Sequence, residues 1–167
     1  SNDFNLSAYS DADWSSSQFN SRSLSAYAVF LGPNLISWKT KKQRSVSKSS
    51  AEAEYRSMSA AASELVWIQG LLEDLQVNIP LPVNLYCDNM SAEHLAKNPV
   101  FHDKTKHLKR DMHYLREQVD SGFINTVHVS SSDQLADVLT KPLSSSQHQL
   151  LSAKLGLISK VQLEGGV

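Results

Sequence analysis

Acidic side chains at positions that should be apolar are the strongest chemical signal in this chain of 167 residues. Glu54 is the clearest case, because it continues the apolar stripe of a helix predicted over residues 47–72. The other members of the stripe recur at steps of three and four residues: Met58, Ala61, Leu65, Ile68 and Leu72. A carboxylate on a buried stripe is costly unless a partner compensates its charge. A metal ion is the obvious partner, and further carboxylates should then converge on it.

Glu52, two residues before Glu54, has a structural explanation instead. It lies about 200° around the helix, at about 100° per residue, on a face that we expect to be solvated. There it can pair with Arg56 at i,i+4. The spacing Ser49-x-x-Glu52 is also that of a capping box, in which the two residues satisfy N–H groups at the helix start. We therefore expect Glu52 to start the helix and Glu54 to carry the chemistry.

Three more places hold an acid at the end of a predicted strand or among apolar helix residues. Asp88 follows a mostly apolar strand, at the carboxyl end, where ligands collect in open α/β sheets. Asp11 and Asp13 close the first strand; they share a face, and periodicity does not choose between them. Asp137 lies beside the apolar residues of a late helix. With Glu54, four acids are available to one site.

Carboxylate oxygens are the ligands that hard cations such as Mg²⁺ prefer. Two such ions, about 4 Å apart, can clamp the attacking and leaving oxygens of a phosphodiester. The alternative is that each Asp caps a helix or a turn, which is a common task for acids at such positions. The sequence therefore leaves two hypotheses for the four acids: one metal-dependent site for phosphodiester chemistry, or four separate structural roles.

The elements that must position these acids alternate between strands and helices. Three strands with short connections predict an antiparallel meander, and a strand reached through a long helix is expected to be parallel to an earlier one. The predicted strands are 6–14, 24–31, 35–39, 83–87 and 123–129, and the later helices are 91–97, 106–119, one around 135–139 and 147–155. The fold class is therefore α/β, with three antiparallel strands followed by two parallel ones.

Composition is that of an ordinary globular domain, with 41% hydrophobic residues and a net charge of −1. The net charge of the whole chain therefore gives no reason to expect nucleic-acid binding, and such an expectation has to rest on local basic patches. The single Cys87 excludes an internal disulfide and suits a reducing compartment. The chain begins without Met, and no apolar run approaches membrane-spanning length. We expect one domain over residues 1–157, cut from a longer protein, and a flexible tail over 158–167.

Six short motifs occur in an order that is specific as a set. They resemble the ribonuclease H domain at the end of the Pol polyprotein of copia-type LTR retrotransposons, most closely the plant members. The resemblance runs from about residue 7 to residue 157. The motifs are Tyr9–Trp14, Leu35–Trp38, Ser49–Tyr55, Tyr86–Asn89, Thr105–His107 and Leu135–Pro142.

That resemblance implies a ribonuclease H-like fold, a five-stranded mixed sheet flanked by helices. It also implies an acidic tetrad that is both catalytic and metal-binding: Asp11, Glu54, Asp88 and Asp137. Asp13 then becomes a neighbour of the site. The implied activity is endonucleolytic cleavage of the RNA strand of an RNA–DNA hybrid during reverse transcription. Two Mg²⁺ or Mn²⁺ ions, bridged by Asp11, would activate a water and leave a 5′-phosphate.

The same resemblance implies the partners and the place of action. The partners would be the RNA–DNA hybrid and the reverse transcriptase portion of the same polyprotein, with no membrane. The place would be the cytoplasmic retrotransposon particle or the nucleus. Two alternatives stay open: an inactive module that binds hybrid or protein, and a related metal nuclease that acts on DNA. The four acids argue against the first, and the Thr140-Lys141-Pro142 ending argues against the second.

Basic residues cluster in two segments. We expect the first, a loop leading into the long helix, to contact phosphates, because such contacts position a nuclease independently of sequence. A solvated charge run is the alternative for both segments. The first runs from Lys39 to Lys48 and holds Lys39, Lys41, Lys42, Arg44 and Lys48. The second holds Lys104, Lys106, Lys109 and Arg110 and could grip the DNA strand.

His128 and the tryptophans are given no catalytic or base-stacking role. Some enzymes of the superfamily have a histidine in the loop before the last catalytic Asp, but the loop here, 130–132, is all serine. His128 lies between two valines and is expected within a strand. Trp14, Trp38 and Trp67 are expected in the core.

Overall fold

The computed structural model describes residues 4–14, 22–97 and 108–157. Five strands form one sheet: β1 (Leu6–Asp13), β2 (Leu24–Leu31), β3 (Asn34–Lys42), β4 (Val83–Cys87) and β5 (Ile124–His128). The order across the sheet is β3-β2-β1-β4-β5. The first three strands pair antiparallel, whereas β4 pairs parallel to both β1 and β5. The predicted α/β fold with a five-stranded mixed sheet is confirmed.

Four α-helices accompany the sheet: α1 (Ser50–Asp74), α2 (Met90–Lys97), α3 (Lys109–Asp120) and α4 (Ser145–Lys154). Two 3₁₀ helices, Ser131–Asp133 and Leu135–Leu139, lie between β5 and α4. We call the second of these the 3₁₀ segment. Among the described residues, none of the helices has the length and apolar character needed to cross a membrane.

Helix α1 lies across the sheet because its stripe is apolar. Ser49 caps it, with its side chain accepting the Glu52 N–H at 3.1 Å. Each apolar member of the predicted stripe is buried, and α1 packs on β1 and β2. Burying a Leu or Met side chain contributes about 1.5–3 kcal/mol, so this stripe fixes the rotation of α1 about its axis. That rotation decides where Glu54 lies.

The opposite face of the sheet carries a second, smaller apolar cluster. Ala28 and Phe30 of β2 meet Leu135 of the 3₁₀ segment and Leu151 of α4 there. The 3₁₀ segment is therefore held against the strands beside β1. This packing brings a late part of the sequence to the end of β1.

Several predicted boundaries and environments differ from the structure. Strand β3 continues to Lys42, so Lys39, Lys41 and Lys42 lie on a strand rather than in a loop. Residues 135–139 form a 3₁₀ helix instead of an α-helix. Helix α3 begins at Lys109, and 158–167 lie outside the described residues, so the expected tail stays a prediction.

The core placement of two tryptophans is wrong. Trp38 is 60% exposed and Trp67 is 63% exposed. Trp38 lies on β3, the edge strand of the sheet, and Trp67 falls between the buried stripe positions of α1 on its outer side. Trp14 is partly buried and donates its Nε1–H to Ser47 O at 3.0 Å.

Candidate metal centre

Three carboxylates meet where β1, α1 and β4 approach one another. Asp11, Glu54 and Asp88 each offer an oxygen, and these oxygens lie within 4.8 Å of one another. The parallel register explains why Asp11 and Asp88 meet, since Tyr9 pairs with Tyr86 and each aspartate follows its tyrosine by two residues. We call these three residues the acidic triad.

Glu54 is buried in the triad with incomplete charge compensation. Its Oε1 accepts the Ala12 N–H at 3.1 Å, whereas its buried Oε2 has no hydrogen-bond partner among the described residues. Burial raises the pKa of Glu54 to about 10, helped by the charges of Asp11 and Asp88 and opposed by the Ala12 N–H. Among the described residues, only the Ala12 N–H stabilises the ionised form of Glu54 by a hydrogen bond, and a bound cation would stabilise it further.

Asp11 is fully buried, while Asp13 is exposed at the end of β1. Ser57 fixes the backbone of Asp11, because its buried hydroxyl lies 2.7 Å from Asp11 O and 3.0 Å from Ala26 O. Ser57 lies one helical turn after Glu54 and so faces the same strands. The sequence analysis missed it, because a serine on a helix carries no signal of its own.

Asp137 reaches the same region from the 3₁₀ segment, but a lysine stands between it and the triad. Lys141 Nζ lies 2.7 Å from Asp137 Oδ1 and 3.2 Å from Asp11 Oδ1. Burial raises the pKa of Asp137 to about 6, with Asp11 and Asp88 adding to the rise and Lys141 opposing it. Burial lowers the pKa of Lys141, but its hydrogen bond to Asp137 and the charge of Asp11 outweigh this and raise it overall.

Two further side chains hold the 3₁₀ segment in place. Gln134 is fully buried, donates to Ser10 O at 2.9 Å and accepts the Ala136 N–H at 3.2 Å. The Thr140 hydroxyl donates to Asp11 Oδ2. Sequence analysis gave these residues no role, although Thr140 and Lys141 belong to the last motif. Gln134 precedes that motif directly, but its burial is visible only in the structure.

Glu52 is a correction to the predicted solvated face, because it is only 5% exposed. Its Oε2 accepts the Lys48 N–H at 3.1 Å and its Oε1 pairs with Arg56 Nη2 at 3.3 Å. Arg56 also approaches Asp111 of α3 at 3.9 Å. The Ser49 cap on the Glu52 N–H and the Arg56 pair are present, but Glu52 and Ser59 are buried, so this part of the face is not solvated.

The basic residues of β3 line a groove beside α1, with a volume of about 440 Å³. Two acids, Glu64 and Asp111, lie in the same groove. The cations that line it are Lys39, Lys41, Lys42, Arg44 and Arg56. Lys106 lies outside the described residues, so its predicted contact is not tested. His128 ends β5, within a strand as expected.

Comparison with known proteins gives the family. No protein-family profile matches the chain. A relative in Arabidopsis thaliana, the retrovirus-related Pol polyprotein from transposon RE2, is 49% identical over 166 residues. The match takes in 99% of this chain and 11% of the relative, so the chain spans about a ninth of that polyprotein.

Solved structures give the fold. The N-terminal RNase H domain of a Mycobacterium tuberculosis protein superposes with a TM-score of 0.60 at 10% identity, over 90% of this chain and 97% of that one. An RNase H1 isolated from compost, solved in complex with an RNA/DNA hybrid, has a TM-score of 0.56 at 10% identity, over 77% of this chain and 88% of that one. The chain is therefore a homologue of one segment of the Pol polyproteins of plant retrotransposons, and that segment has the ribonuclease H fold.

Proposed function

We propose that this chain is a ribonuclease H, a metal-dependent endonuclease that cleaves the RNA strand of RNA–DNA hybrids during retrotransposon reverse transcription. The ribonuclease H fold and the Pol homology support a nuclease-type function. The observation that carries the proposal is the acidic triad, in which the buried Oε2 of Glu54 has no hydrogen-bond partner among the described residues. Neither a core position nor a helix cap explains that oxygen.

The donor set fits a hard divalent cation. Every candidate ligand is a carboxylate oxygen, which suits Mg²⁺ or Mn²⁺. The acidic triad would hold one ion, and Asp11 with Asp137 would hold a second. Bound there, the ions supply Lewis acidity to an attacking water and to the leaving 3′-oxygen of the RNA, and the products are a 3′-hydroxyl and a 5′-phosphate.

The chain itself contributes positioning rather than a covalent nucleophile. The Ala12 N–H holds one oxygen of Glu54, and Thr140 and Lys141 hold the two oxygens of Asp11. These contacts fix the carboxylates before any ligand arrives. Discrimination of RNA from DNA would rest on contacts to the 2′-hydroxyl groups of the hybrid.

We propose that the groove on β3 contacts the phosphate backbone of the hybrid. Four of its cations are exposed and precede the start of α1, which carries Glu54: Lys39, Lys41, Lys42 and Arg44. Phosphate contact of this kind is independent of sequence and weakens with salt. Lys106 is a further proposed contact. The remaining proposed partner is the reverse transcriptase portion of the polyprotein, in the retrotransposon particle or the nucleus.

A labelled RNA–DNA hybrid incubated with the chain and Mg²⁺ or Mn²⁺ tests the proposal. We expect RNA fragments with 5′-phosphates, abolished by EDTA and by Glu54→Gln. The matched RNA duplex and DNA duplex should remain intact. Binding of the hybrid with no cleavage under either ion would refute the nuclease and favour a binding module.

A further inference from the structure

Lys141 is the cation that the acidic site already contains. Among the described residues, no other basic side chain forms an ion pair with any of the four site acids. Its Nζ bridges one oxygen of Asp11, fully buried, and one oxygen of Asp137, whose side chain is 5% exposed. The side chain of Lys141 itself is 33% exposed.

The bridge joins the two carboxylates that would hold the second proposed metal ion. A divalent ion such as Mg²⁺ binds carboxylate oxygens at about 2.1 Å, so it would fill the space between Asp11 and Asp137. The ammonium lies 3.2 Å and 2.7 Å from those oxygens and occupies that space in this structure. Two cations so close together repel strongly, which makes simultaneous occupation unfavourable.

We propose that Lys141 is a built-in counter-cation that holds Asp137 beside Asp11 in the metal-free protein and must be displaced when a metal ion binds between them. Displacement is feasible because a lysine side chain has a flexible stem and this one is partly exposed. Lys141 also pairs with Asp11 of the acidic triad, but Glu54 and Asp88 form no ion pair among the described residues, so we expect the triad to be filled first. The ion at Asp137 then binds second and more weakly. This inference rests on the proposed metal-dependent function.

The test compares Lys141→Met with Lys154→Met in two assays that use no substrate. Lys154 is a matched control, since it pairs with an aspartate at 3.1 Å but Asp133 is 62% exposed. In EDTA, Lys141→Met should lower the unfolding temperature by roughly 5 °C or more, because two buried carboxylates lose their partner. Lys154→Met should leave it nearly unchanged.

The second assay is calorimetric titration with Mn²⁺. Lys141→Met should increase the Mn²⁺ affinity of the weaker site by about tenfold. The reason is that Mn²⁺ no longer has to displace one charge-assisted hydrogen bond of the lysine. Lys141→Arg keeps the cation and should keep that site weak. A protein that lost only stability would not show this gain in affinity.

Mn²⁺ affinities of Lys141→Met that stay within about twofold of the unsubstituted protein would overturn the inference and leave the proposed function standing. An unsubstituted protein that binds no Mn²⁺ would overturn the proposed function and the inference with it. Should Lys141→Met fail to fold, Lys141→Gln carries the same comparison.

Discussion

Glu52 and Glu54 lie two residues apart, are equally buried, and should respond to the same substitution in opposite ways. Both are 5% exposed. Glu52 has Lys48 N–H and Arg56 as partners, whereas Glu54 has the Ala12 N–H on one oxygen and repulsion from Asp11 and Asp88. Glutamine is nearly isosteric with glutamate, so the change removes charge and little else.

The magnitudes follow from the pKa of Glu54 and the pairs of Glu52. Holding the Glu54 proton near pH 7, when its ordinary pKa is 4.5, costs at most about 3.5 kcal/mol at about 1.4 kcal/mol per pH unit. Glu54→Gln removes this cost, and even a third of it raises the unfolding temperature by about 2–4 °C. Glu52→Gln loses a partly buried ion pair at 3.3 Å and should cost about 1 kcal/mol.

The rate of hybrid cleavage should show the opposite order to stability, with Glu54→Gln the less active of the two variants. Glu54→Gln removes a charged ligand of the proposed metal site and should slow hybrid cleavage by at least about a hundredfold. Glu52→Gln leaves the four site acids intact and should stay within about threefold of the unsubstituted rate. Thermal unfolding in EDTA and single-turnover cleavage in Mg²⁺ measure the two quantities on the same preparations.

The crossed pattern is the decisive result. Parallel losses of activity in both variants would show that the helical-face assignment of Glu54 is wrong. A Glu54→Gln protein less stable than the unsubstituted one in EDTA would show that the site does not carry the repulsion that raises the pKa of Glu54.

Three further outcomes are expected. Without metal, the folded state keeps the Glu54 proton between its ordinary pKa of 4.5 and about 10, while the unfolded state releases it. The free energy of unfolding should therefore fall as pH rises through that window. Denaturant unfolding in EDTA at about pH 6 and about pH 8 measures this fall, and the same fall in Glu54→Gln would contradict its assignment to Glu54. Lys41→Gln combined with Lys42→Gln should weaken hybrid binding and reduce the slope of log affinity against log salt by about two, since each phosphate contact contributes about one, while Lys154→Gln should not change it. Gln134→Ala removes the side-chain donor to Ser10 O and should lower the free energy of unfolding by about 1–3 kcal/mol. Chemical unfolding measures this, and a decrease under about 0.5 kcal/mol would refute the expectation.

Local periodicity predicted the framework well. The bounds of β2 and β4 match the predicted strands, and the stripe of α1 is buried along its whole predicted length. Period-two and period-3.6 patterns report which face of an element is apolar, and burial of that face is the largest local contribution to folding. Glu54 stood out against such a pattern, so the sequence alone located this acid of the site.

Environments that depend on a second element were not accessible in this way. Arg56, the partner of Glu52, approaches Asp111 of α3, which lies about sixty residues further along the chain, and a local pattern does not predict that approach. Trp38 is exposed because β3 is the edge strand, a fact of strand order rather than of composition. Ser57 holds Asp11 O and Gln134 holds the neighbouring Ser10 O, which are backbone oxygens that any residue could offer.

The acids themselves show the same division. The sequence determined that four carboxylates lie at strand ends or on half-apolar helix faces, and left Asp11 and Asp13 equivalent by periodicity. The tertiary structure separated them, burying Asp11 fully and leaving Asp13 exposed. It also placed Lys141 between Asp11 and Asp137, residues 126 positions apart along the chain. Local propensity fixes which side of an element is apolar, but only the packing of distant elements decides which charges meet.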